Sequence, residues 1–215
     1  MGALVAEPLY LLADTAVVGH LGTLPLGGLA VASAALLLIY GLCFFLAYGT
    51  TATVARFTGA GEPLKASNQA IQSLWLAFFL GIAIAFFGYF TADPLLKLLG
   101  ANGELLNQAR IYLRVSMFGA PAMLIMLAGV GYLRGVKDTI RPLWVAIGTA
   151  LLNLGLELIL IYGFDKKIGA SAASTVISQW VGALIYLGWI WQAVGIYKIS
   201  LKPKFIILIK LLKSS

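Results

Sequence analysis

Six long apolar runs with few charges, at about residues 1–20, 26–54, 69–91, 107–133, 142–163 and 170–197, constrain this chain more than any motif does. Each is near or above the roughly 20 residues a helix needs to cross the hydrocarbon of a bilayer. Composition points the same way: 61% of the 215 residues are apolar, 11% are charged, and the mean hydropathy is +0.96. An ordinary soluble domain has about 45–50% and about 25%. The expected fold class is an all-α polytopic membrane protein, a bundle of six transmembrane helices.

The first run is read as a spanning helix with a clipped start. Glu7, Pro8 and Asp14 stand where a signal peptide would need its apolar core, and no basic lead precedes them. The single Cys43 has no intramolecular partner and is read as a small packing residue. Short cytoplasmic loops collect Lys and Arg. Arg56 and Lys65, then Arg134, Lys137 and Arg141, then the lysines of the tail beyond residue 197 therefore belong to one side, the cytoplasm, and both chain ends come out there. The other side has HLGTLP, the stretch 93–110 and FDKKI, whose cations are fewer or offset by Asp93, Glu104 and Asp165. The net charge of +7 reflects topology and contact with lipid headgroups; a soluble basic face for nucleic acid is absent.

Leu95 to Leu99 around Lys97 are expected to form a short interfacial helix ended by Gly100, and the tail KPKFIILIKLLKSS an amphipathic cytoplasmic-face helix. The tryptophans are read as interface anchors or packing, and His20 as an interfacial residue. Gly27 with Gly28, and Gly129 with Gly131 and Gly135, suit close helix approach. No Walker, Rossmann, zinc or H-E-x-x-H pattern occurs, so neither a cofactor nor a structural metal is expected.

What remains are polar residues at membrane depth. A mid-helix acid costs roughly 2.5–3.5 kcal/mol on insertion scales, so it needs a partner, a wet cavity or neutralisation. Glu7 and Asp14 are two turns apart on one face of the first helix; Asn153 and Glu157, and Thr175 and Gln179, are one turn apart on the fifth and sixth. Pro8 removes an amide and marks a place to bend. No Lys or Arg is expected between the helix ends, so Asp14 and Glu157 call for protons or metal ions. A cation-operated cavity follows.

EPLYLLADTAVVGHLG with GGLAVAS, N-L-G-L-E at Asn153 to Glu157, IGASAASTVISQ at Ile168 to Gln179 and YLRGVKDTIRP at Tyr132 to Pro142 together resemble the multidrug and toxic compound extrusion (MATE) family, in particular its DNA-damage-inducible F-like branch. The resemblance covers nearly the whole chain and matches the N-terminal six-helix lobe of a twelve-helix, two-lobed transporter. It implies export of amphipathic, often cationic compounds against entering H⁺ or Na⁺. The branch's cation site maps to Asp14, Asn153, Glu157 and Thr175; Na⁺ could sit among the same four. Glu7, Tyr10 and Gln179 fall where the family lines its substrate cavity. The fifth-helix acid is frequently Asp; here it is Glu157, and both ions stay open.

Residues 1–197 are thus expected to form the lobe and 198–215 a cytoplasmic linker toward a missing C-terminal lobe, supplied in cis or in trans, in the inner membrane. Both ends look cut. Partners are amphipathic small molecules, membrane lipids and that second lobe, with no nucleic acid. The alternatives are a lipid-linked oligosaccharide flippase of the same superfamily, which would want several cations at depth, and an intramembrane enzyme. For the latter, Ser171, Ser174 and Ser178 lack a G-x-S-x-G setting and a nearby base.

Overall fold

The computed structural model describes Gly19 and residues 22–163 and 168–197. Among these every regular element is helical: α1 (Thr23–Gly41), α2 (Phe44–Gly59), α3 (Pro63–Phe90), α4 (Ala92–Leu98), α5 (Gly103–Met117), α6 (Ala120–Gly135), α7 (Ile140–Leu158), a π turn (Ile159–Gly163) and α8 (Ile168–Tyr197). Four stretches are each long and apolar enough to cross a bilayer: Thr23–Gly59, Pro63–Phe90, Ile140–Ile161 and Ile168–Ala193. A fifth crossing joins α5 to α6 through a 54° bend. These are the second to sixth expected helices. The first, with Glu7, Pro8, Tyr10, Asp14 and His20, lies outside the described residues, as do Asp165, Lys166, Lys167 and the tail.

The bend between α5 and α6 was not anticipated, and Pro121 explains it. Proline has no amide hydrogen, so the carbonyl of Met117 loses its helical donor. The chain tightens instead, with Phe118 N donating to Val115 O at 3.1 Å and Gly119 N to Ser116 O at 2.9 Å. From α8, Trp180 Nε1 donates to the carbonyl of Phe118 at 3.1 Å and Gln179 lays its carbonyl oxygen against Gly119.

With lipid on the outside, burial alone does not join helices; close backbone approach does. A Cβ at Gly28 would lie 2.6 Å from Gln108 Cβ, at Gly129 2.6 Å from the ring of Tyr186, at Gly131 2.7 Å from the carbonyl of Ala47, and at Gly135 2.6 Å from Val54. All five glycines singled out from the sequence therefore sit at contacts, Gly27 against Leu105 included. The interior between them is rich in alanine, with Ala32, Ala35, Ala77, Ala109, Ala120, Ala122 and Ala183 fully buried.

Gly135 against Val54 brings the ends carrying Arg56 and Arg134 side by side, so the two basic loops share one end of the bundle. At the opposite end α4 forms as expected and stops at Gly100, whose φ of 91° closes it. Asp93 ties it to α5, accepting from Arg110 Nε at 2.6 Å and facing Arg114 Nη2 at 3.5 Å. These two arginines lie inside the bent crossing, which corrects the expectation of no cation between helix ends. A shared carboxylate, and Tyr89 under the Arg114 guanidinium at 5.2 Å, make their position tolerable.

The turn from α6 to α7 yields a stability prediction. Asp138 N donates to Leu133 O at 2.8 Å and Lys137 N to Arg134 O at 3.0 Å, the helix-closing pattern that Gly61 and Gly100 also serve. Lys137 takes the left-handed position with φ 65°. A side chain there costs roughly 1–2 kcal/mol, partly returned by the freedom a glycine has when unfolded. Lys137→Gly should therefore raise stability by up to about 1 kcal/mol, read as a higher unfolding midpoint in detergent. The capping of α7 by Asp138 Oδ1, which accepts from Ile140 N and Arg141 N at 3.1 Å each, should stay intact.

Candidate functional site

Helix α7 exposes Leu151 and Leu158 on one side and buries Asn153 and Glu157 on the other. The four-residue spacing forces this: one turn separates the two polar side chains, so the helix cannot bury one and expose the other. Asn153 is 2% exposed and Glu157 0%. Facing them on α8, Ser171 and Ser174 are fully buried and Thr175 is half-buried.

The amide of Asn153 joins the two helices. Its Nδ2 donates to Thr175 Oγ1 at 3.0 Å and to Ser174 Oγ at 3.3 Å. Both hydroxyls pass their hydrogens back to one acceptor, the carbonyl of Ser171, from Ser174 at 2.7 Å and from Thr175 at 3.1 Å. Glu157, Ser171 and Thr175 also engage elsewhere in the fold. The π turn Ile159–Gly163 begins two residues after Glu157, a departure from α geometry that often accompanies function.

Of the residues expected to form the cation site, the structure joins Asn153 to Thr175 and buries Glu157 one turn along α7 from Asn153; Asp14 lies outside the described residues. Gln179, one turn beyond Thr175, meets the bend at Gly119. Sequence reasoning weighed Ser171 and Ser174 only as nucleophiles and missed their part in holding Asn153. The recurrence of hydroxyl side chains at 171, 174, 175 and 178 on one helix was the available signal. Among the described residues no three His, Cys, Asp or Glu side chains converge. A cation here would meet one carboxylate with amide and hydroxyl oxygens.

The MatE family model matches residues 1–159. The chain belongs to the MatE family. The DNA damage-inducible protein F of Escherichia coli is 34% identical over 184 residues, which cover 85% of this chain and 40% of that protein. The multidrug export protein MepA of Staphylococcus saprophyticus is 26% identical over 178 residues, 81% of this chain and 40% of its own length. Among solved structures, an outward-facing multidrug resistance MATE family transporter superposes with a TM-score of 0.89 at 30% identity, over 99% of this chain and 48% of that one. This MatE chain thus spans about half the length, or less, of the relatives it matches. The six-helix lobe expected from the sequence corresponds to that half.

Proposed function

We propose that this chain is the N-terminal lobe of a cation-coupled antiporter that exports amphipathic, often cationic compounds in exchange for entering H⁺ or Na⁺. The observation that carries the reading is the buried cluster of Glu157 and Asn153 with Thr175 and Ser174, placed in a bundle whose outside is oil. A carboxylate at such depth is costly unless a proton or cation meets it, and a group that must gain and lose a cation is what coupling requires. Asp14 joins the cluster from the first helix, Glu7, Tyr10 and Gln179 line the substrate path, and Pro8 lets that helix bend when the cation binds. Relatives whose names describe multidrug export support the substrate class.

In this reading residues 1–197 form the lobe and 198–215 lead toward a second lobe in cis or in trans. The ends carrying Arg56 and Arg134 face the cytoplasm of the inner membrane, following the rule that cytoplasmic loops collect cations. The test is dye efflux from a drug-sensitive bacterial host lacking its own pumps, with this chain expressed alone and paired with a second lobe. The pair should lower dye accumulation, and the chain alone should leave it at background. Collapsing the H⁺ and Na⁺ gradients together should abolish the difference; efflux that survives both would refute coupling.

A further inference from the structure

Arg114 and Arg134 stand 20 residues apart along the bent crossing of α5 and α6. That is about the length of helix that spans the hydrocarbon, roughly 30 Å. Nearly all of the stretch lies in α6, so the bend hardly shortens it. With Arg134 at the basic end, Arg114 comes out at the far boundary of the oil, and Arg110, one turn earlier, among the headgroups. The protein serves these two guanidinium groups poorly. Each is a planar fork of N–H donors, yet both lean on one carboxylate oxygen, Asp93 Oδ1, Arg110 through Nε at 2.6 Å and Arg114 through Nη2 at a long 3.5 Å. Arg114 Nε is buried and finds no acceptor among the described residues. Glu104, the acid on α5 itself, already accepts from Gln108 Nε2 at 2.7 Å. The cluster is therefore cationic, and its arginine side chains stay 32% and 36% exposed, open to a ligand from outside. Below them, Tyr89 lies 5.2 Å under the Arg114 guanidinium and meets Phe90 and Phe118 edge-on at 5.6 and 6.1 Å, both phenyl rings being 65% exposed.

We propose that Arg110 and Arg114 form a binding site for a phospholipid of the leaflet opposite the Arg56 and Arg134 end, its phosphate held by the two guanidinium groups and an acyl chain laid on Tyr89, Phe90 and Phe118. A cationic fork above an exposed apolar wall matches the two halves of such a molecule: phosphate oxygens accept paired N–H bonds, and the chain covers the rings. The site is separate from the α7–α8 cluster and does not depend on what the lobe exports. Asp93 has two parts in it. Its carboxylate ties α4 to α5, and it competes with the phosphate for the same donors, so it holds lipid affinity down. An ion pair that served only to tie the helices would have no use for the second arginine.

The test is the unfolding midpoint of the purified 215-residue chain in a nonionic detergent, titrated with dioleoyl phosphatidylglycerol, with dioleoylglycerol, which has the chains and no phosphate, or with inorganic phosphate. Only the phospholipid should give a saturable rise. Arg114→Gln leaves Arg110 on Asp93 and should need on the order of tenfold more lipid for the same rise. Asp93→Asn should start from a lower midpoint, because the tie is lost, yet reach half its rise at severalfold less lipid, because the competing charge is gone; a purely structural pair would give the first effect without the second. Lys137→Gln, which removes an exposed cation at the opposite end, should respond as wild type does. Should Arg114→Gln fail to fold, the Asp93→Asn titration decides alone. A wild-type midpoint indifferent to the phospholipid, an equal rise with dioleoylglycerol or inorganic phosphate, an Asp93→Asn response no tighter than wild type, or a Lys137→Gln response as weak as that of Arg114→Gln would overturn the assignment.

Discussion

Replacing Glu157 by Gln should abolish cation-driven efflux by the paired lobes while leaving expression and insertion unchanged. The substitution keeps the shape of a side chain that is 0% exposed and keeps its capacity for hydrogen bonds, but removes the group that can take up and release a cation. A bilayer-buried acid retained only to join helices would behave differently, because Gln joins helices as well or better at lower insertion cost. The measurement is dye accumulation in the pump-deficient host together with the amount of protein in the membrane. Wild-type efflux by Glu157→Gln would remove the acid from the mechanism. Glu157→Asp, which shortens the reach by one methylene, should retain part of the activity.

A large effect on stability is expected at Gly131. In an open helical position Gly→Ala gains about 1 kcal/mol. A Cβ at Gly131 would instead lie 2.7 Å from the main-chain oxygen of Ala47 and 2.8 Å from Thr50 Cβ, so α2 itself would have to move. Overpacking of this kind costs typically about 1–3 kcal/mol, enough to reverse the sign. Gly148, in α7, has no atom within 4 Å of its Cβ position and serves as the control. Gly131→Ala should lower the unfolding midpoint and Gly148→Ala should raise it. Equal shifts in one direction would show that helix propensity, and no close approach, decides both.

The legible parts of the sequence were those governed by one period or one length. Apolar run length located every described crossing, four-residue spacing put Asn153 with Glu157 on one face, the family resemblance pointed to Thr175, and the glycine pairs marked the contacts at Gly28 and Gly131. What escaped depended on neighbours distant in the chain. Pro121 was visible, yet the 54° bend also required Gly119 and a partner, Trp180, for the exposed carbonyl of Phe118. Arg110 looked like the end of an outer stretch and Arg114 was not weighed, because nothing local says that Asp93 folds back to hold them within a crossing. Ser174 was hidden by its ordinariness: a serine in a membrane helix commonly bonds to its own backbone, and its value here comes from the amide across the interface.

The claim that the buried acid–amide cluster couples an ion to export is tested most directly in sealed proteoliposomes holding the paired lobes and a fluorescent amphipathic cation, with no nucleotide present. Imposing an inward Na⁺ or H⁺ gradient should drive the dye out against its own gradient in wild type, and the same gradient should move nothing through Glu157→Gln. Dye movement indifferent to both ions, or undiminished in the Glu157→Gln protein, would contradict the account.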